Sequence, residues 1–266
     1  MTITQYLNAK YGEGGPGSKR FTPDPNKVHS SQVSECQRKR WWKHTREYTS
    51  GPSPYFELGR VFEVLYGAAL AFEHCPTISE NMLKKHQPWE IVEKAIRVKQ
   101  DVGITIELDD YSIVGECDWV VFTSDVTFDH ITVQNDGSRV VTNNGEKYEF
   151  RDDLVEKVVE TKTKKDIEWI QQHGPDKKHV YQVYPYMHAL DCAGEIAYMQ
   201  RNDWKELVVP VEYDTDVWTD VLIRSQQHAQ NMNNDQLPPT SPLDKDECHW
   251  CPFVHECQDI GGLVWN

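Results

Sequence analysis

Apolar residues recur at helical spacing between Phe56 and His74, where Leu58, Phe62, Leu65 and Ala69 fall on one stripe. The pattern predicts a long helix there. Upstream, Ser30 or Ser31 can cap a helix that runs through Cys36 to about Tyr48, and Gly51-Pro52-Ser53-Pro54 separates the two. A shorter helix is expected over Glu90 to Ile96. The period then changes to two. Gly103 to Glu107 and Tyr111 to Phe122 read as strands joined at Asp109-Asp110. Thr127 to Phe150 carries the turn signals Asn135-Asp136-Gly137 and Asn143-Asn144-Gly145, so an inserted hairpin is expected over 127–150. Val155 to Lys162 is a strand, and His179 to Cys192 a helix ending near Gly194. Strands at Ile196 to Gln200 and Leu207 to Val211 precede an amphipathic helix over Thr215 to Asn231. Leu237-Pro238-Pro239-Thr240-Ser241-Pro242 is an irregular connector. Interleaved helices and strands of this kind predict an α/β fold.

Composition narrows the class. With 266 residues, 38% hydrophobic and 26% charged, the chain can bury a sizeable core and reads as globular. Residues 1–27 include a stretch rich in Gly, Pro and Ser and are expected to form a flexible leader, leaving a single domain over 28–266. No run of 18 apolar residues predicts a membrane span, and no apolar segment near the N-terminus predicts a secretory signal. Seven cysteines in so large a chain argue for reduced thiols in the cytoplasm rather than a secreted disulfide framework. The net charge of −14 argues against bulk nucleic-acid binding but leaves room for a local basic patch.

Candidate chemistry is concentrated in two places. The first is a C-x2-C-x5-C triplet, Cys248, Cys251 and Cys257, within residues 245–260. Three thiolates make an incomplete metal site, because structural zinc or a cubane iron–sulfur cluster takes four ligands. Cys36, within 30–48, can supply the fourth and would tie the two ends of the chain together. His249 and His255 are alternative ligands, and the spacing alone allows zinc or iron–sulfur. Cys75, Cys117 and Cys192 fall on expected core elements and read as packing residues.

The second is Val158-Val159-Glu160-Thr161-Lys162. Period two places Glu160 and Lys162 on one strand face. They form either a plain ion pair or an acid for a divalent cation beside a lysine that orients water. Asp118, on the preceding long strand, can share one Mg²⁺ or Mn²⁺ with Glu160. Glu63 stands among apolar neighbours on the long helix, an uncommon place for a carboxylate. Gln182 and Tyr186, at i and i+4, share a helix face and could reach one phosphate; the alternative is a polar patch with a half-buried tyrosine. Arg38, Lys39, Arg40, Trp42 and Lys43 suit a DNA strand, with cations for phosphates and rings for bases. They equally suit an amphipathic helix with buried tryptophans. Lys164-Lys165 and Lys177-Lys178 flank the candidate site.

The order Glu63, Asp118, Glu160-x-Lys162 and Gln182-x-x-x-Tyr186 resembles the PD-(D/E)XK nuclease superfamily and, within it, the RecB-like domain. With the flanking cysteines, it resembles the CRISPR-associated four-cysteine iron–sulfur exonucleases and their viral relatives, over about Val28 to Cys257. The resemblance implies a restriction-endonuclease-like core, a mixed sheet flanked by helices. It implies a 4Fe–4S cluster on Cys36, Cys248, Cys251 and Cys257. It further implies Mg²⁺ or Mn²⁺ held by Glu63, Asp118, Glu160 and the Thr161 carbonyl, with Lys162 acting on the attacking water. The expected activity is exonucleolytic cleavage of single-stranded DNA or DNA ends, alone or beside recombination or CRISPR-adaptation proteins; the alternatives are a catalytically weak DNA-binding accessory protein and a zinc-binding interaction protein. The family usually has histidine at the place of Glu63, and the separation from Asp118 to Glu160 is longer than usual.

Overall fold

The computed structural model describes residues 24–46, 54–243 and 246–260, with Gln5, Tyr6 and Ala9. Most of the expected leader and the end of the first expected helix at Tyr48 lie outside the described residues. Helices α1 (Ser30–Val33), α2 (Gln37–Thr45), α3 (Pro54–His74), α4 (Glu80–Lys85) and α5 (Pro88–Lys94) come before most of the strands. After β1 (Lys27–His29), the strands are β2 (Val98–Glu107), β3 (Ser112–Phe122), β4 (His130–Val133), β5 (Arg139–Asn143), β6 (Glu146–Glu149) and β7 (Val155–Lys164). Next come α6 (Glu168–His173), α7 (Lys177–Leu190), β8 (Ala193–Gln200), β9 (Glu206–Val211), α8 (Thr215–Asn233), α9 (Asp246–His249) and α10 (Val254–Asp259).

Among the described residues, the strands form one mixed sheet in the order β6-β5-β4-β2-β3-β7-β8-β9, with β1 parallel to β3. The β2–β3, β3–β7 and β8–β9 pairs are antiparallel, and β2–β4 and β7–β8 are parallel. Helices cover both faces. On one, α7 contributes Tyr181, Val183, Tyr184 and Met187 to the larger apolar cluster, joined by Val221 of α8. On the other, Phe62, Tyr66, Leu70 and Ala71 of α3 pack with Trp119, Val121 and Val159. A Cβ on Gly67 would lie 2.1 Å from the Trp119 ring, so the glycine lets the helix settle on that buried indole.

Several expectations change. Of the expected stripe, Phe62 is buried and Leu58 packs beside it, but Leu65 and Ala69 are exposed, and Tyr66 and Leu70 complete the face toward the sheet. This helix is apolar around much of its circumference, so periodicity alone left two possible faces. The helix expected through Cys36 is interrupted, because Cys36 takes an extended conformation (φ −55°, ψ 127°) as the N-cap of α2. The 127–150 segment holds three strands rather than a lone hairpin, and extends the sheet beyond β2. The turn at Asn144-Gly145 has both residues at positive φ, as a two-residue hairpin loop requires. Helix α7 ends at Asp191, which takes φ 49°, and Gly194 lies inside β8. No described helix is long and apolar enough to cross a membrane.

Candidate active site and cysteine cradle

The site lies where β3 and β7 part. Their paired register runs from Phe122–Val155 to Trp119–Val159. Beyond it, the Thr161 backbone N–H donates to Asp118 Oδ2 at 2.7 Å, and the Thr161 hydroxyl donates to the same oxygen at 2.7 Å. A carboxylate side chain thus receives an N–H next to the end of the ladder, and its fixed position follows from that.

The pleat also reverses here. Cys117 belongs to the α7-side cluster and Trp119, two residues on, to the α3-side cluster. In the partner strand, Val98 packs on the α3 side and Val102 on the α7 side. Strict alternation would keep each pair on one face. Between Val98 and Val102, Asp101 adopts φ 58°, a left-handed conformation uncommon outside glycine. Asp101 and Asp118 therefore occupy the crossover, and Asp118 turns toward β7.

Glu160 is 2% exposed. Its Oε1 accepts from Lys162 Nζ and, at 2.7 Å, from Gln182 Nε2 on α7. Its Oε2 is buried without a hydrogen-bond partner. Burial first, and then the neighbouring Asp118 carboxylate, push the Glu160 carboxyl up to about 7 against the opposing pull of Lys162. Burial opposes the charge on Lys162, but Glu160, Asp118 and Glu63 outweigh it and hold the ammonium above its ordinary range. Glu63, half-buried on α3, accepts a hydrogen bond from Gln100 Nε2 of β2. The structure therefore brings Glu63, Asp118, Glu160, Lys162 and Gln182 together.

Tyr186 is buried and shares a 2.6 Å hydrogen bond with Ser30 Oγ, while it and Gln182 line one cavity and its hydroxyl lies within reach of the Glu160 and Asp118 charges. The sequence reading missed Gln100, which fixes Glu63. It also missed His179, whose Nδ1 lies 3.0 Å from the Tyr198 hydroxyl at the floor of the cleft beside Lys162. Burial and the neighbouring Lys162, Lys164 and Lys178 hold His179 neutral. The position of Asp176, three residues before His179, was the available signal: its carboxylate pairs with Lys164 and lies 3.5 Å from His179 Nδ1.

The four cysteines come from opposite ends of the chain. Cys36, Cys248, Cys251 and Cys257 line a single cavity with Lys39 and Glu247. Burial, followed by Cys36, Glu247, Cys251 and Cys257, raises the Cys248 thiol to about 11. The Cys251 N–H donates to the Cys248 carbonyl at 3.2 Å, making the tight turn that a C-x2-C knuckle needs. Glu247 Oε1 accepts the Cys36 N–H at 2.7 Å. Among the described residues, no group of three or more His, Cys, Asp or Glu side chains is already drawn into an arrangement that could hold a metal ion.

The basic segment after Cys36 is spent largely on this junction. Arg40 is 0% and Trp42 2% exposed, so neither presents a surface to DNA, contrary to the sequence reading. Trp42 packs on Phe253 with ring centroids 5.3 Å apart. Lys39 and Lys43 pair with Glu35 at 3.3 and 2.6 Å, and Arg38 Nε donates to the Pro238 carbonyl at 2.8 Å.

No family model and no curated protein matches this sequence. Among solved structures, the crystal structure of SSO0001 superposes with a TM-score of 0.52 at 16% identity, covering 97% of this chain and 96% of that one. LHK-Exo in complex with dAMP gives a TM-score of 0.34 at 11% identity, covering 79% of this chain and 89% of that one. The fold is shared with SSO0001 over nearly its whole length. The mixed sheet flanked by helices is consistent with a restriction-endonuclease-like core.

Proposed function

We propose that the protein is a metal-dependent deoxyribonuclease that cleaves single-stranded DNA or DNA ends, with a cysteine-bound 4Fe–4S cluster or zinc joining its termini. The observation that carries the reading is the convergence of Asp118, Glu160 and Lys162 where β3 and β7 part.

The residues suit a hard cation. Burial and then the Asp118 carboxylate push the Glu160 carboxyl up to about 7, so a cation there would offset buried negative charge, and Glu160 Oε2 is a buried acceptor with no hydrogen-bond partner. Asp118, Glu160 and the Thr161 carbonyl would hold Mg²⁺ or Mn²⁺, with Glu63 at the edge of the set. When bound, such an ion supplies Lewis acidity toward a phosphate and lowers the pKa of a coordinated water. Thr161 fixes one Asp118 oxygen, and Gln182 fixes one Glu160 oxygen. Lys162, kept charged by its acidic neighbours, orients water and offsets phosphate charge rather than serving as a base. Sulfur ligands around one cavity suit zinc or iron–sulfur equally well by donor chemistry.

The test uses protein purified without oxygen. Its visible spectrum and metal content are recorded, and labelled single-stranded DNA is incubated with Mg²⁺ or Mn²⁺. Cleavage is expected, and Asp118→Ala, Glu160→Ala and Lys162→Ala should each lower it by about a hundredfold or more. Undiminished cleavage by these variants would overturn the assigned site. A colourless protein carrying zinc would decide against the cluster and leave the nuclease reading standing.

A further inference from the structure

A cleft of 540 Å³ opens beside Lys162 and runs toward the cysteine cradle. Lys162, Lys164, Lys178 and Gln182 line its active-site end, and Lys39 and Trp250 its far end. Lys39 and Glu247 also line the cysteine cavity, so they form the wall between the two. Trp250 is 80% exposed, the most exposed large apolar side chain among the described residues. It sits in the turn closed between Cys248 and Cys251, with its indole edge-on to His249 at 4.7 Å.

The geometry points to this cleft as a subsite for the unpaired nucleotides of a DNA strand, with Trp250 stacking a base and Lys164 and Lys178 taking phosphates next to the bond to be cut. This rests on the nuclease reading and names the strand state it prefers. Three features carry it. The first is position: the same cleft holds Lys162 and the exposed indole, so a strand with one phosphate at Lys162 passes Trp250. The second is charge. Four lysines face the cleft of a chain whose net charge is −14. Against them stand three acids, Asp176 paired with Lys164, and Glu35 and Glu247 paired with Lys39, so the lining keeps one net positive charge, and Lys164 would exchange Asp176 for a phosphate. The third is size. A cleft of 540 Å³ falls in the range that encloses one small ligand, which suits one or two nucleotides. In a duplex the base faces are already stacked on one another, so an exposed indole gains a partner only from an unpaired base. The knuckle supplies the rigidity: two cysteines two and one residues away hold Trp250 at the cleft mouth.

Binding separates this claim from catalysis. The intact protein, with its native metal content and Ca²⁺ in place of Mg²⁺ or Mn²⁺, is titrated with a fluorescent oligothymidylate and with a blunt duplex. Trp250→Ala should weaken oligothymidylate binding by about one to two orders of magnitude, and Trp250→Phe should stay within about threefold of wild type. Duplex affinity should be the same for all three. Lys178→Ala should lower the salt dependence of oligothymidylate binding by about one counterion. Oligothymidylate binding by Trp250→Ala equal to that of wild type would overturn the subsite, while leaving the nuclease reading to its own cleavage test. A wild-type protein that neither binds nor cuts DNA would overturn both.

Discussion

Thr161 alone gives Asp118 two hydrogen bonds, from its backbone N–H and its hydroxyl, both to Oδ2. The side-chain bond is the removable one. Thr161→Val keeps the shape and deletes the hydroxyl, and a hydrogen bond to a charged group is worth about 1.5–3 kcal/mol. The site is only partly buried, so a loss near 1.5 kcal/mol is expected in urea unfolding. Thr161→Ser should restore it. A valine variant as stable as wild type would show that the hydroxyl does not hold Asp118. At this scale, much was legible. The Glu160–Lys162 pair followed from period two, and Gln182 followed from its helix. The i, i+4 spacing put Gln182 and Tyr186 on one cavity, but it did not say where the long Tyr186 side chain ends. Its hydroxyl finds Ser30 first.

Elements show where a local pattern stops being informative. Periodicity located α3, α7, α8 and the strands, since each buries one face against the sheet. It could not find the break at Cys36, because the chain there bends to bring a thiol to a cavity shared with cysteines more than 200 positions away. Nor could it find the reversed pleat at Asp101 and Asp118, which depends on two strands kinking together. The α2–α8 contact carries an expected pH dependence. His228 of α8 is 1% exposed, and its ring lies 5.3 Å from that of His44 on α2, with Arg40 beside both. Burial, followed by Arg40, lowers His44 to about 4 and His228 to about 2. Folded-state values below the ordinary one mean that the unfolded chain takes up these protons first as pH falls. The stability they contribute is complete above about pH 6.5 and is lost as pH drops toward those lower values. Each histidine costs at most about 1.4 kcal/mol per pH unit in that window. Urea midpoints at pH 7 and pH 5 should therefore diverge less in His228→Leu than in wild type. Identical slopes would show that His228 is not kept neutral by the fold.

For the whole molecule, the ends meet through more than cysteine. Arg224, 8% exposed on α8, donates from Nε to the Val33 carbonyl and from Nη2 to the Glu35 and Ser241 carbonyls, each at 3.1 Å. Two of these acceptors precede Cys36, and the third lies on the connector leading to Cys248. The Gln37 N–H donates to Ser241 Oγ at 3.2 Å, and Arg46 pairs with Glu256 at 3.2 Å. One buried guanidinium thus touches both halves of the cysteine cradle. Arg224→Ala would leave three carbonyl groups at a largely buried junction without their donor, at a cost of at least about 3 kcal/mol. The loss should be local, because the sheet and its two apolar clusters do not depend on this residue. Hydrogen exchange should show protection falling across 30–46 and 246–259 while β3 and β7 keep theirs. Arg224→Lys, which offers one ammonium in place of a planar fork, should recover only part of that protection. Uniform loss across the sheet would show instead that the junction and the sheet fold as one unit, and that the cradle cannot open without the candidate site.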